Sequence, residues 1–153
     1  MRVLIWVLPL AIYVFFVLGR EVLGGDAGWV SVLAIVYSPA VLVALYLPVI
    51  VQAFDRDARE ARSVRRSFAV TTCSWYLCAA MVTIAIPDGG DSGDWSSPLM
   101  SWTGISYSAA NALAISALAA LAVAVAASLA TAVAGVVASR HPGPARANHP
   151  AES

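Results

Sequence analysis

Three carboxylates stand at three-residue spacing in one glycine-rich segment of the chain. Asp88, Asp91 and Asp94 alternate with Gly and Ser and are followed by Trp95. Carboxylate oxygens on a loop are the ligands that a hard cation such as Ca²⁺ prefers. The segment lacks the residue order and the closing Glu of an EF-hand, and Asp, Gly and Ser are also ordinary turn residues. The three carboxylates are therefore weak candidates for a cation site, and the alternative is a solvated turn; no other metal site is predicted.

A second cluster of charge is basic. Arg62, Arg65 and Arg66 lie in the segment 52–67, which contains neither Gly nor Pro and is predicted to be helical. Arginines that lie beside a membrane attract anionic lipid headgroups, at about 1 kcal/mol each. We expect these three to contact lipid headgroups, and the alternative is that they only set the orientation of the chain.

Residues that could carry out a reaction are missing. The apolar stretches hold no Asp, Glu, Lys, Arg or His, and His141 and His149 lie near the end of the sequence. Ion-coupled carriers usually keep an ionisable residue within the membrane, and haem needs an axial ligand there. No metalloprotease, serine hydrolase or phosphate-binding motif occurs. We predict that the chain is not an enzyme, binds no cofactor and does not bind nucleic acid.

Four apolar stretches form the framework that must position any functional residues of the chain. They cover residues 3–19, 30–51, 68–86 and 109–138, and each is about as long as a helix needs to cross a bilayer, ~20 residues. The whole chain is 60% hydrophobic and 12% charged, whereas soluble domains are about 25% charged. The sequence predicts an all-α integral membrane protein, a bundle of four transmembrane helices. Residues 139–153 are predicted to be a disordered tail.

The arginines are segregated on one side of these spans. Eight of the nine lie before the first span, in 52–67 or after the fourth span, and Arg20 is the exception. The positive-inside rule then predicts that both termini and the loop 52–67 are cytoplasmic, and that the acidic loop 87–108 is outside. No Ala-x-Ala site follows Gly19, so we expect the first span not to be a cleaved signal peptide. The absence of Lys and the excess of Ala and Val indicate a GC-rich bacterial genome, hence a bacterial inner membrane.

Prolines and caps predict local detail. Ser38-Pro39 and Pro48 lie inside the second span, which is therefore predicted to be bent. Ser97-Pro98 is typical of a helix start, and Gly104 is expected to separate this short helix from the fourth span.

Small residues recur at four-residue spacing along the fourth span. A row of this kind lets another helix approach closely, and close packing drives helix association in lipid. The predicted helix-packing residues are Ala112, Ser116, Ala120, Ala124 and Ser128. The contacting helix belongs either to this chain or to another membrane protein, including a second copy.

We therefore expect a non-catalytic accessory, assembly or regulatory subunit that acts through helix–helix contacts. The alternative is an oligomeric pore or facilitator for small or apolar solutes. Its predicted lining residues are Thr71, Thr72, Ser74, Asn111 and Ser116.

Overall fold

The computed structural model describes residues 2–24, 28–61, 63–89 and 93–140. This part of the chain is mostly helical, as predicted. Its α-helices are α1 (Arg2–Val14), α2 (Arg20–Val22), α3 (Trp29–Val36), α4 (Ser38–Gln52), α5 (Arg56–Glu60), α6 (Arg66–Ala85), α7 (Pro98–Thr103) and α8 (Tyr107–Arg140). Strands β1 (Asp88–Gly89) and β2 (Trp95–Ser96) form one short antiparallel hairpin, in which Asp88 pairs with Ser96.

Three helical segments of the described residues are long and apolar enough to cross a membrane. They are Ile5–Val22, α6 and α8, with mean hydropathies of 1.8, 1.6 and 2.4. Helices α3 and α4 together pass the same test but are bent by 70° at their junction. The structure therefore has three candidate spans, or four if the bent pair counts as one.

The bend between α3 and α4 follows from proline chemistry. Tyr37 ends α3, and Ser38-Pro39 begins α4 with proline in its first turn. Proline has no N–H to donate and its ring disfavours helical geometry in the residue before it. The predicted bend in the second span is thus confirmed at Ser38-Pro39, whereas α4 continues through Pro48.

The first candidate span contains a π-helical turn that the sequence did not reveal. Residues Phe15–Gly19 form this turn between α1 and α2, so the helix is continuous from Arg2 to Val22. Gly19 lies against the ring of Phe15, and a Cβ at position 19 would come within 2.5 Å of that ring. Glycine therefore permits the close packing that this turn requires.

The core of the bundle lies between α6 and α8. Trp75, Tyr76 and Ala79 form its buried centre on α6, and side chains of α1, α4 and α8 pack around them. The buried residues of α8 are all small, which lets the two helix backbones approach closely: Ala110, Ala114, Ser128, Ala132 and Gly135.

Two loops differ in how well they were predicted. Helix α7 has the predicted caps, because Ser97 Oγ accepts from the backbone N–H of Met100 and Gly104 ends the helix with a φ of +69°. The segment 52–67, in contrast, does not continue the neighbouring helices. Helix α4 ends at Gln52, and α5 is a separate short helix that begins after Asp55.

Candidate functional site

At the end of the bundle that carries the hairpin, here called the acidic end, Asp88 caps a helix distant in sequence. Its fully buried carboxylate accepts from the backbone N–H groups of Gly28, Val30 and Ser31 at 3.0–3.2 Å. These are the first free donors of α3, and a negative charge is favourable at a helix N-terminus. Gly28 is the N-cap residue and has no side chain of its own to do this. A Cβ at Gly28 would overlap Asp88 Oδ1, so glycine is needed for the carboxylate to approach.

Arg20 completes this acidic-end cluster. Its side chain is fully buried, it donates to the carbonyl of Ile86 at 2.8 Å, and its guanidinium lies 3.8 Å from the carboxylate of Asp88. The pair therefore ties the end of the first candidate span to the start of α3 and to the segment after α6. Because the positive charge of Arg20 partly balances the carboxylate, both can be buried together.

Within the described residues, the predicted cation ligands Asp88 and Asp94 do not come together. Asp88 is occupied by backbone donors and Arg20, whereas Asp94 is exposed on the other side of the hairpin. Asp91 lies outside the described residues. Within the described ranges, no three His, Cys, Asp or Glu side chains come close enough to hold a metal ion.

A second buried carboxylate lies at the opposite end, here called the Arg-rich end. Asp55 is fully buried and accepts from the backbone N–H of Ala58, which caps α5. Arg65 Nε donates to Asp55 at 2.5 Å, and another guanidinium nitrogen donates to Asp57 at 3.2 Å and to the carbonyl of Gly135 at 3.4 Å. This cluster fixes the loop to the last turns of α8.

The charges in this cluster stabilise each other. Burial raises the pKa of the Asp55 carboxyl, but the hydrogen bonds from Arg65 and Ala58 outweigh that effect and hold its pKa below the ordinary value. The hydrogen bond to Asp55 raises the pKa of Arg65. Both groups are therefore ionised at neutral pH.

The three arginines predicted to contact lipid have different surroundings. Arg65 is engaged with Asp55 and Asp57 and keeps 34% of its side chain exposed. Arg66 is exposed at the start of α6, and Arg62 lies outside the described residues. Headgroup contact thus stays a prediction for Arg66, while Arg65 has a clear structural role within the chain.

The predicted helix-packing row does not lie on one face. Ser128 is buried and Ala124 is half-buried towards the core, whereas Ala112, Ser116 and Ala120 are exposed. Four residues turn a helix by about 40° more than a full circle, so a row at this spacing winds around the axis. The first half of the row therefore faces away from the bundle.

A different row of small residues lines an open groove on α8. The groove runs along the outward face of its second half and is apolar. Its small side chains are Ala126, Ala130, Ala134 and Ala138, which turn about 120° around the helix axis from first to last and still line this one surface together with larger side chains. Leu129, Val133 and Val137 form its ridge.

The residues predicted to line a pore differ in their surroundings. Ser74 and Ser116 are exposed and donate to carbonyls of their own helices, those of Val70 and Ala112. Thr71 contacts Thr131 across the α6–α8 interface at 3.2 Å, and Thr72 is buried. Asn111 is half-buried, and a pore lining built from these residues stays a prediction.

No family model matches the chain, and no curated protein or solved structure matches it.

Sequence reasoning missed both buried ion-pair clusters and one cavity. The cavity measures about 250 Å³ and opens at the Arg-rich end between α1, α4 and α5, with Trp6, Val49 and Gln52 in its wall. One signal was available, because Gln52 is the only glutamine of the chain and directly follows an apolar stretch. The ion pair between Arg20 and Asp88 could not be predicted, because the sequence does not show which helix ends meet.

Proposed function

We propose that the chain is a four-span membrane protein that acts as a non-catalytic accessory, assembly or regulatory subunit. Its outward surfaces support insertion into lipid. Large apolar side chains are exposed on every candidate span, for example Leu10, Leu33, Val43, Leu77 and Ile115. Soluble monomers rarely expose large continuous apolar surfaces, whereas a bilayer solvates them.

The orientation follows from the arginines. The Arg-rich end collects α5, the start of α6 and the end of α8, and the acidic end holds the hairpin with Asp88 and Asp94. Positive charge is retained on the cytoplasmic side. We therefore propose that the Arg-rich end is cytoplasmic and the acidic end is outside.

The alanine groove on α8 is the observation that supports action through helix contacts. The other candidate spans face outward with Leu, Ile, Val and aromatic residues, which fill the space beside lipid tails. Here, Ala126, Ala130, Ala134 and Ala138 leave a shallow channel of a kind that suits the ridge of another helix. A helix seated in this channel packs against the backbone of α8 more closely than lipid chains can.

A co-purification experiment tests this function. The tagged protein is extracted in a mild detergent, and the proteins that accompany it are identified and quantified. Wild type is expected to retain a membrane protein in fixed ratio. Ala130→Leu fills the groove and should reduce the retained partner by at least about tenfold, because it removes close packing over the whole contact.

Val43→Leu is the matched control, since it enlarges an exposed side chain of α4 to the same product residue. It should leave partner recovery unchanged. Wild-type protein that purifies alone contradicts the proposal, and so does a partner that is retained equally by Ala130→Leu. If only a second copy of this chain is recovered, the role as a subunit of a larger complex is contradicted, although helix contact through the groove is still supported.

A further inference from the structure

The cavity at the Arg-rich end combines features of a ligand site that the helix-contact function does not use. Its wall is largely apolar, with Ile5, Val49, Ala58 and Val64 among the lining residues. Three polar residues interrupt this surface: Gln52, Arg59 and Ser63. An apolar cleft with a few polar groups is the usual form of a small-ligand site.

Gln52 is the decisive residue. Only 7% of it is exposed, and neither its amide nitrogen nor its carbonyl oxygen has a hydrogen-bond partner among the described residues. Buried polar atoms normally find partners, and leaving them unpaired is destabilising. Gln52 lines the cavity, and the terminal torsion of glutamine is soft, so its carboxamide can turn to meet a ligand. A ligand there gains both a donor and an acceptor.

The cavity lies at the depth of an interfacial aromatic pair. Trp6, which lines it, stacks on Tyr46 with ring centroids 6.3 Å apart, and the hydroxyl of Tyr46 donates to the carbonyl of Trp6 at 2.9 Å. Tryptophan and tyrosine concentrate at the level of lipid headgroups. In the proposed membrane orientation, the cavity therefore faces headgroups rather than acyl chains or bulk solvent.

We propose that this cavity binds an anionic phospholipid whose headgroup carries hydroxyl groups, as in phosphatidylglycerol. Arg59 lines the cavity and supplies the positive charge for the phosphodiester. A headgroup hydroxyl both donates and accepts, so it satisfies the two unpaired atoms of Gln52. An ammonium headgroup can only donate and a choline headgroup can do neither, so both match this carboxamide less well. The inference uses the proposed membrane insertion but is independent of the α8 partner.

Native mass spectrometry of the delipidated full chain in detergent tests the site. Phosphatidylglycerol, phosphatidic acid and phosphatidylcholine with identical acyl chains are titrated separately. Phosphatidylglycerol should bind at least about tenfold more tightly than phosphatidylcholine. Gln52→Leu should weaken phosphatidylglycerol about tenfold, the value expected for two lost hydrogen bonds, without lowering the thermal stability of the lipid-free protein.

Two matched pairs of variants separate binding from folding. Arg59→Gln should weaken both anionic lipids about fivefold, whereas Arg56→Gln, the same charge change on α5 outside the cavity, should leave affinity unchanged within about twofold. Thr72→Val removes another unpaired buried polar group, away from the cavity, and should also leave lipid affinity unchanged.

Several results would overturn the proposal. Equal binding of phosphatidylglycerol and phosphatidylcholine removes the headgroup specificity. Phosphatidylglycerol that binds equally tightly to wild type and Gln52→Leu removes the role of the hydroxyl and of Gln52. Soluble glycerol 1-phosphate that binds with the same dependence on Gln52, while the lipids do not bind, assigns the cavity to a soluble phosphate ester.

Discussion

Asp88 and Asp55 use the same chemistry at opposite ends of the bundle. Each carboxylate is fully buried, caps a short or broken helix and pairs with one arginine. An isolated buried charge is costly, and several N–H donors around one carboxylate reduce that cost. These two residues therefore join loops to helices where apolar packing alone cannot select one arrangement.

Replacing Asp88 with Asn should lower the free energy of unfolding by about 3 kcal/mol. The substitution removes the charge that pairs with Arg20 and weakens the bonds to the N-terminus of α3. Unfolding by SDS in mixed micelles, followed by tryptophan fluorescence, measures the change. Asp94→Asn is the control on the same hairpin, and its exposed side chain predicts a change within about 0.5 kcal/mol. Equal effects of the two substitutions would show that the buried contacts of Asp88 do not stabilise the fold.

Stability should fall in acid through Asp55. Its pKa is lower in the folded protein than the value of about 3.9 in an unfolded chain, so its contribution is complete above that value and is lost as the pH falls through the folded pKa. Asp55→Asn should therefore be less stable than wild type by about 2 kcal/mol at pH 7, and the difference should shrink as the pH falls below about 3.9. Asp57 still contacts Arg65 in this variant. Thermal unfolding in detergent from pH 3 to 7 measures the difference, and a gap that is independent of pH contradicts the assignment.

At the level of the helices, small residues decide which surfaces meet. Gly135 lies where α8 passes the Arg-rich cluster, and Arg65 donates to its carbonyl. A Cβ at position 135 would lie 2.6 Å from Asp55 Oδ2 and 3.1 Å from Arg65 Nε. Both neighbours are held by their own hydrogen bonds, so neither can move away at little cost.

Gly135→Ala should therefore destabilise the protein by about 2 kcal/mol. The sign is informative, because alanine inside a helix is otherwise more stable than glycine by about 0.5–1 kcal/mol. A double-mutant cycle with Asp55→Ala checks the cause, since removing the carboxylate should eliminate most of the penalty. Stabilisation by Gly135→Ala in the wild-type background would contradict the close approach.

The helices were predictable to different degrees for physical reasons. Hydrophobic length located the candidate spans, and capping rules located α7, because both depend on residues close in sequence. The bend at Ser38-Pro39 was predictable for the same reason. The π-helical turn at Phe15–Gly19 and the hairpin were not, because they depend on contacts between side chains and segments that a linear pattern does not contain.

The candidate sites were harder to predict than the helices. Arg65 was expected to face lipid, and the structure adds Asp55, Asp57 and the carbonyl of Gly135 as partners, the last 70 residues away in sequence. The row from Ala112 to Ser128 was expected to let another helix approach closely; Ser128 is buried within the chain, whereas Ala112, Ser116 and Ala120 are exposed, so a contact there stays a prediction. Local spacing therefore identified useful residue types, while only the packed helices show which of them meet.

At the level of the whole molecule, the proposed function needs the two ends of the bundle to lie on opposite sides of a membrane. The bent pair α3–α4 is the critical element, because a pair with a 70° bend can be one broken span or a re-entrant loop. If it crosses, Glu21 and Asp94 share one side and Glu60 lies on the other. If it is re-entrant, Glu21 lies on the same side as Glu60, which would separate Arg20 from the Asp88 that it contacts in the structure.

The most direct measurement is labelling of single cysteines by a membrane-impermeant maleimide. Glu21→Cys, Glu60→Cys and Asp94→Cys change exposed positions, and Cys73 and Cys78 are first replaced with Ser. Positions 21 and 94 should react in intact cells, and position 60 should react only after the membrane is permeabilised. Two results would contradict a four-span protein whose Arg-rich end is cytoplasmic. One is labelling of position 60 in intact cells, and the other is protection of both positions 21 and 60 in intact cells.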